Sequence, residues 1–417
     1  MVRMRGFKER IDVNTALKLL RDVKLKKVNS EVVKIEDACF RILAEDVVSS
    51  FDVPHFDRSA VDGYAVFAED TFGASLNNPV RLKLVGEEMS KMRRGETVRV
   101  YTGSPIPDGA NAVVMLEFAK EVNGFVEIYR SVTPLENVSR KGEDVKAGDI
   151  VLRSGEILQP QDIGVLASLN YGKVRVLRKP KVVVIPTGDE LVEVGEGLEF
   201  GKVINSNAYM LICALKCYGC EPIHYGIVKD DFYELRKAIK TAVEIGDCVI
   251  TTGGTSVGKR DLVPEVVREI GRILFHGISI KPGMPTAFGV VNEKPVLILS
   301  GFPVACLIGF ELLFPHILSK LTGVTIFRRR IVRAKLKRRI PSKAGVRTFA
   351  RVKYKDGFAE PLMTSGSGIL TSMIKANGIV VIPENSEGFE EGEVVDVILI
   401  RDSSEYVPPP KHPYEGF

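Results

Sequence analysis

Tryptophan is absent from this chain of 417 residues, and glutamine occurs only as Gln159 and Gln161. Lys and Arg together number 58 and Asp and Glu 53. Few thermolabile side chains beside many charged ones point to a thermophilic source. The net charge of +5 is too small a surplus to argue for a nucleic-acid partner. No run reaches the ~18 apolar residues that mark a membrane span. The first dozen residues alternate charge and lack a signal-peptide core. The expectation is a cytoplasmic protein that neither enters nor crosses a membrane. The cysteines are few and scattered (Cys39, Cys213, Cys217, Cys220, Cys248 and Cys306), so disulfides are not expected. Cys213, Cys217, Cys220 and His224 mimic a zinc spacing. The three cysteines read instead as a helix face of small buried hydrophobes. Cys248 and Cys306 sit in apolar runs and read as core.

An apolar fraction of 45% is enough for sizeable cores. The length suits two to four domains at roughly 100–200 residues each. Residues 249–261 are the most informative stretch. A β-branched run breaks into Gly253-Gly254, two hydroxyls (Thr255, Ser256), another glycine, two cations and Asp261. Glycine permits positive φ and close backbone approach to a ligand. Successive free N–H groups in such a turn form an anion cradle, and the helix predicted over residues 262–270 adds positive charge at its N-terminus. A carboxylate beside a phosphate cradle, Asp261, fits a bridging divalent cation or the handling of water and protons.

Related loops recur. A strand over 181–185 runs into Thr187-Gly188-Asp189-Glu190. Asn205 or Ser206 can cap a helix that ends near Tyr218, with Gly219 as its stop. A strand over 221–228 closes on Asp230, and a helix over 232–245 leads to a strand over 247–252. A strand over 296–299 precedes Ser300-Gly301-Phe302-Pro303 and a helix over 304–321. This alternation predicts a doubly wound, mostly parallel sheet with helices on both faces. Ligands of such sheets sit beyond the carboxyl ends of the strands. Thr187, Asp189, Glu190, Asp230, Gly253, Gly254, Asp261 and Gly301 all fall there.

Elsewhere, residues 13–28 have the apolar spacing of an amphipathic helix, residues 35–44 hold a second short element, and residues 64–138 read as all-β. Residues 161–168 read as helical. Residues 328–339 hold eight Lys or Arg in twelve positions. Arg333, Lys335, Lys337 and Arg339 alternate with Val332, Ala334 and Leu336, which is a strand with one solvated basic face rather than a nucleic-acid arm. The runs beyond it read as a small β-barrel or sandwich, followed by a proline-rich tail.

Six motifs together carry a resemblance. They are Asp57-Arg58-Ser59-Ala60-Val61-Asp62-Gly63-Tyr64-Ala65, Thr102-Gly103-Ser104-Pro105-Ile106-Pro107-Asp108-Gly109-Ala110, Lys141-Gly142-Glu143-Asp144, Thr187-Gly188-Asp189-Glu190-Leu191, Thr252-Gly253-Gly254-Thr255-Ser256 and Lys281-Pro282-Gly283. In this order and spacing the chain resembles the molybdopterin molybdotransferases, which include the large catalytic domain of gephyrin. The resemblance spans nearly the whole length.

It implies a split linker domain (residues 1–55 and 139–178), an inserted β-rich domain (56–138), an α/β molybdopterin-binding domain (179–325), a C-terminal β-barrel (326–402) and a tail (403–417). It implies insertion of molybdate or tungstate into adenylylated molybdopterin, with Mg²⁺-dependent release of AMP. It also implies a homodimer with the active site shared between subunits. Possible partners are a molybdopterin adenylyltransferase and apo-molybdoenzymes or tungstoenzymes. By motif matching the functional residues are Asp62, Asp144, Glu190, Asp230, Asp261 and Thr102, with Lys281 at the oxyanion or phosphate. Gly253, Gly254, Thr255 and Ser256 suit the phosphate cradle, and Glu190, Asp230 and Asp261 suit Mg²⁺. Thr187, Gly188, Ser206 and Pro303 complete the cofactor-binding set.

Two departures stand out: Met284 where the family often carries a second lysine, and Ser300-Gly301-Phe302-Pro303 in place of Pro-Gly-Asn-Pro. The competing readings are a molybdopterin adenylyltransferase and a pterin-binding scaffold without turnover. The terminal domains disfavour the first, and the retained acids disfavour the second.

Overall fold

Residues Lys181–Pro186 form a strand whose β-branched run is buried from Val182 onward. A parallel strand covered by helices on both faces must be apolar in this way. The computed structural model describes residues 10–86, 91–254, 262–325, 329–363 and 366–401. The chain divides into two compact units, residues 31–176 and residues 1–30 with 177–417.

In the second unit the elements follow as β1 (Lys181–Pro186), α1 (Ser206–Cys217), β2 (Glu221–His224), α2 (Phe232–Ile245), β3 (Cys248–Thr252), α3 (Leu262–Ile270), β4 (Arg272–His276), β5 (Ala287–Val291), β6 (Lys294–Leu299) and α4 (Pro303–Thr322). The sheet order is β2-β1-β3-β6-β5-β4. The first four strands are parallel, and the last two add antiparallel at one edge. From β1 the chain winds one way to β2, then returns across β1 to β3. The junction of β1 and β3 is therefore the topological switch point, where open α/β sheets bind ligands. β4 and β5 lie in a stretch that sequence periodicity left unassigned.

Alternate side chains of the strands feed two cores. Val182, Val184, Ile250, Leu297 and Leu299 pack with Leu211 of α1 and with Phe310, Phe314 and Leu318 of α4. Val183, Ile185, Val249 and Ile298 pack with Leu235 and Ile239 of α2 and Val263 and Val267 of α3. The helix α4 corrects one expectation. Among the described residues it is long and apolar enough to span a bilayer, with only Glu311 and Lys320 charged, yet 12 of its 20 residues are buried in this core.

The cysteines correct another. α1 turns Ala208, Leu211 and Leu215 inward, which leaves Cys213 and Cys217 exposed on its outer side. Only Cys220, beyond the Gly219 turn, enters the core, with Cys248 and Cys306. Among the described residues no group of three or more His, Cys, Asp or Glu could hold a metal on its own.

The amphipathic helix is Val13–Asp22, shorter than the predicted 13–28. Asp12 caps it by accepting from the Thr15 N–H at 2.9 Å. Beyond Asp22 the burial period changes to two, with Val23 and Leu25 inside and Lys24 and Lys26 outside. Val13, Ala16 and Leu20 join the α4 side of the α/β core, although sequence placed this segment in the split domain.

At the end of the chain five strands close a barrel: Arg347–Lys355, Phe358–Met363, Ile331–Leu336, Val394–Leu399 and Gly378–Ile382, which pairs back to the first. Arg333 and Lys335 are exposed while Ala334 and Leu336 are buried, so this basic run is a strand with a solvated face.

The first unit, residues 31–176, holds a six-stranded sheet. Its order is Ala112–Met115, Gly63–Val66, Glu96–Val100, Val80–Leu84, Phe125–Ile128, Ala119–Val122. A second core gathers Leu43, Leu158, Leu166 and Val176 around the helix Pro160–Ser168.

One ion pair locks the entry to β1. Asp247 accepts from both Arg178 terminal nitrogens at 2.6 Å and from the Lys181 N–H at 2.8 Å. Burial opposes the charge on Asp247, but the Arg178 and Lys181 bonds outweigh it and hold the carboxyl below its usual range. A lowered carboxylate contributes stability above its ordinary pKa and loses it as pH falls through the lowered one. Asp247→Asn is therefore expected to cost about 1–2 kcal/mol at pH 7, with the gap in urea melts narrowing as pH falls through the lowered value.

Candidate functional site

The carboxyl ends of β1 and β3 meet in a backbone junction with almost no spare room. The Thr187 N–H donates to Thr252 O at 2.8 Å, and the Gly253 N–H donates to Leu299 O at 3.1 Å, extending the ladder past the strand ends. Gly253 has φ of +95° and Gly254 of +64°. A Cβ on Gly253 would lie 2.3 Å from Thr187 O, and one on Gly254 2.7 Å from Val263 Cγ2. Only glycine fits at these two positions. Thr187 is buried, and its Oγ1 stands over both glycines, 3.1 Å and 3.0 Å from those built Cβ positions. Thr255, Ser256 and Asp261, expected to extend this cradle and its metal site, lie outside the described residues.

Two helix N-termini point at the same edge. Asn205, not Ser206, caps α1, accepting from the Ala208 N–H at 3.4 Å, and Ser206 is the first helical residue. α4 starts at Pro303, with Phe302 as a cap that makes no side-chain bond. Between them lies a residue that sequence reasoning passed over. Asn207 is only 8% exposed, and its Nδ2 donates to Gly301 O at 2.8 Å. A Cβ on Gly301 would lie 3.6 Å from Gly253 Cα, so Asn207 stands beside the cradle. Its signal was available: two asparagines flank the predicted cap Ser206 at a strand-to-helix turn, and a helix has only one cap residue. The departure Ser300-Gly301-Phe302-Pro303 leaves Phe302 exposed next to this edge.

Acids gather at the outer side of β1. Asp189 and Glu190 are exposed, and the Asp230 N–H donates to Asp189 Oδ1 at 3.3 Å. Burial raises the Asp230 carboxyl above its ordinary value, and the charges of Asp189 and Glu190 raise it further. Gly188 has φ of +150°, and a Cβ there would meet only the movable end of the exposed Glu190 side chain, at 2.6 Å from Oε1. Among the described residues these carboxylates do not form a three-ligand metal group by themselves, but one or two of them with phosphate oxygens could serve a hard divalent cation. Such a cation keeps several waters and needs only one or two protein carboxylates. Lys281 is placed elsewhere: it lies on the short strand Ile280–Lys281, paired through Thr348 with the barrel strand Arg347–Lys355, and is exposed. Nearby, Arg10 Nη1 approaches Met284 Sδ at 3.4 Å, so a cation stands against the methionine that replaces the second lysine.

In the unit of residues 31–176, Asp62 and Thr102 form a built pair. The Thr102 N–H donates to Asp62 Oδ1 at 2.7 Å and its hydroxyl donates to the same oxygen at 2.9 Å. The backbone bond first, then the hydroxyl and the Arg99 charge, hold the Asp62 carboxyl below its usual range despite some desolvation. Asp62 is thus an exposed, pre-oriented anion whose second oxygen accepts no hydrogen bond among the described residues. The following Gly63 is required by packing, since a Cβ there would lie 2.1 Å from Val114 O. Thr102→Val should leave the thermal midpoint within about 1 °C, as an exposed surface change does. It should also raise the Asp62 titration, read by carboxyl NMR. An unmoved titration would remove the Thr102 hydroxyl as an orienter and leave only the backbone N–H. Asp144 is exposed in a turn whose N–H donates to Val53 O at 3.1 Å.

Family models match the chain in three consecutive stretches, the first of which crosses the boundary between the two units at residue 31. Residues 11–170 match the MoeA N-terminal region (domain I and II), residues 183–320 the "Probable molybdopterin binding domain", and residues 333–400 the MoeA C-terminal region (domain IV). A Methanocaldococcus jannaschii protein assigned to molybdopterin biosynthesis is 46% identical over 385 residues, covering 90% of this chain and 93% of its own. A molybdopterin molybdenumtransferase of Staphylococcus epidermidis is 36% identical over 413 residues, covering 94% and 96%. The crystal structure of the molybdopterin biosynthesis MoeA protein from Pyrococcus horikoshii superposes with a TM-score of 0.84 at 40% identity, covering 94% of this chain and 99% of that one. The chain belongs to the MoeA family.

Proposed function

We propose that this protein is a molybdopterin molybdotransferase that takes adenylylated molybdopterin and molybdate or tungstate, and releases AMP with the help of Mg²⁺. The observation that carries the reading is the glycine-only junction of Thr187, Gly253 and Gly254 at the switch point of the sheet, next to the acids Asp189, Glu190 and Asp230. Cleaving a phosphoanhydride asks a protein mainly for positioning and charge neutralisation. The close backbone approach at Gly253 and Gly254 and the N-terminus of α1 would supply the positioning for the phosphates. Asp230 with Glu190 would hold Mg²⁺, and Asp261 fits the same role by its place in the sequence. A cation there would draw charge from the phosphoanhydride oxygens. Asp62, fixed by Thr102, provides an ionised carboxylate for the insertion side of the reaction, with Asp144. Lys281 offers a point charge to the oxyanion.

The runner-up, adenylylation of molybdopterin, consumes ATP and produces the substrate proposed here. Supplying ATP with molybdopterin in one reaction and adenylylated molybdopterin with oxyanion in another separates the two. Turnover is expected only in the second; ATP consumption in the first would replace the proposal by the runner-up.

The site is also proposed to be shared across a homodimer, with Asp62 and Thr102 completing the partner's cradle. Light scattering is expected to give twice the mass of a 45.9 kDa chain. A fully active monomer would contradict this arrangement.

A further inference from the structure

Asn207 carries more than the support of Gly301. Its carboxamide is buried, Nδ2 donates to Gly301 O, and among the described residues Oδ1 has no hydrogen-bond partner. The orientation of the amide is fixed by chemistry. Turning it over would set Oδ1 against the Gly301 carbonyl, two acceptors face to face. Buried acceptors are nearly always satisfied, so one left unpaired and shielded beside a ligand cradle calls for a donor that reaches it when a ligand parts its surroundings.

The sign of this group divides the site. Phosphate oxygens are acceptors. They suit the half-buried Gly254 peptide and the N-terminus of α1, and they are repelled by a carbonyl oxygen. A heterocycle with N–H groups has the opposite preference. The pterin ring offers an amino group and a ring N–H on one edge, and adenine offers an amino group. We propose that Asn207 is a specificity-determining residue whose Oδ1 accepts an N–H of the substrate's heterocycle, so that the ring lies on the α1 side of Gly301 and the phosphates on the Gly253 side. This assignment rests on the proposed function and deepens it by giving the bound substrate a direction. A site built to receive a donor discriminates strongly against ligands that lack one, because its own buried acceptor is then left unpaired.

The test uses the full-length protein, three probes and two variants. Binding of 6-hydroxymethylpterin, AMP and pyrophosphate is measured by calorimetry for wild type and for Asn207→Leu, which keeps the volume without the polar atoms. Asn207→Ala adds no bulk and carries the same expectation if leucine is not accommodated. The dissociation constant of at least one heterocyclic probe is expected to rise tenfold or more, while that of pyrophosphate stays within twofold. A rise for the pterin alone assigns the donor to the pterin ring, and a rise for AMP alone assigns it to adenine.

Pyrophosphate binding that falls in parallel would mean that Asn207 only props Gly301, and would overturn the assignment. Affinities unchanged for all three probes in both variants would overturn it as well. A wild-type protein that binds none of the three would overturn the underlying reading of the cradle, a result distinct from either.

Discussion

Gly253→Ala is expected to lose about 2–4 kcal/mol of stability and at least ~100-fold in turnover. Two costs combine. The residue has φ of +95°, where an L side chain is strained, and the added Cβ would lie 2.3 Å from Thr187 O. Backbone strain alone is worth about 1–3 kcal/mol. The clash cannot be relieved by a rotamer, because the atom it meets is backbone at the end of β1, so the β1–β3 junction must open. A displacement near 1 Å in a positioning loop can cost ~100-fold in rate. Gly73→Ala is the control: φ there is +86° with nothing within 4 Å of the new Cβ, so only the conformational cost applies. Urea melts and AMP release read both effects. A Gly253→Ala protein no less stable than the Gly73→Ala control would sink the close-approach account.

Asp230→Asn should separate stability from activity. The Asp230 carboxyl is raised by burial and by the charges of Asp189 and Glu190. A raised carboxylate stabilises the fold below its ordinary pKa, and that contribution is lost as pH rises through the raised value. At pH 7 the ionised group therefore works against folding unless a cation is bound. The variant is expected to be at least as stable as wild type at pH 7 without divalent cation, and the two should converge toward pH 4. Adding Mg²⁺ should lift the thermal midpoint of wild type and leave the variant unchanged. Turnover should fall at least ~100-fold, the scale of losing one electrostatic catalytic group. A variant that gains as much from Mg²⁺ as wild type would take Asp230 out of the metal site.

Much of the α/β unit was legible because its strands are short β-branched runs that break sharply into glycine and acid. The predicted helices over 232–245 and 262–270 match the observed α2 and α3 residue for residue. The antiparallel edge was not legible. Strands β4 and β5 sit between Gly271 and Lys294 without the alternation that marks a half-exposed strand, and every residue of β5 is buried. The helix from Val13 was overextended because Val23, Leu25 and Val28 continue an apolar series that fits either period over a few residues. Cys213 and Cys217 were misplaced because a weakly amphipathic helix gives little sign of which face is inside.

At the site, glycine loops announced themselves, since conformational need shows in residue type. Asn207 did not. Its meaning depends on an unpaired atom that exists only once α1 is set against Gly301. The pairing of Asp62 with Thr102 likewise joins residues forty positions apart, and no local pattern encodes it.

The most direct test of the central claim is AMP release from adenylylated molybdopterin, followed with and without Mg²⁺ and with and without molybdate or tungstate. The account predicts release only when the metal and one of the oxyanions are both present. Equal release in the presence of a chelator, or in the absence of either oxyanion, would contradict it.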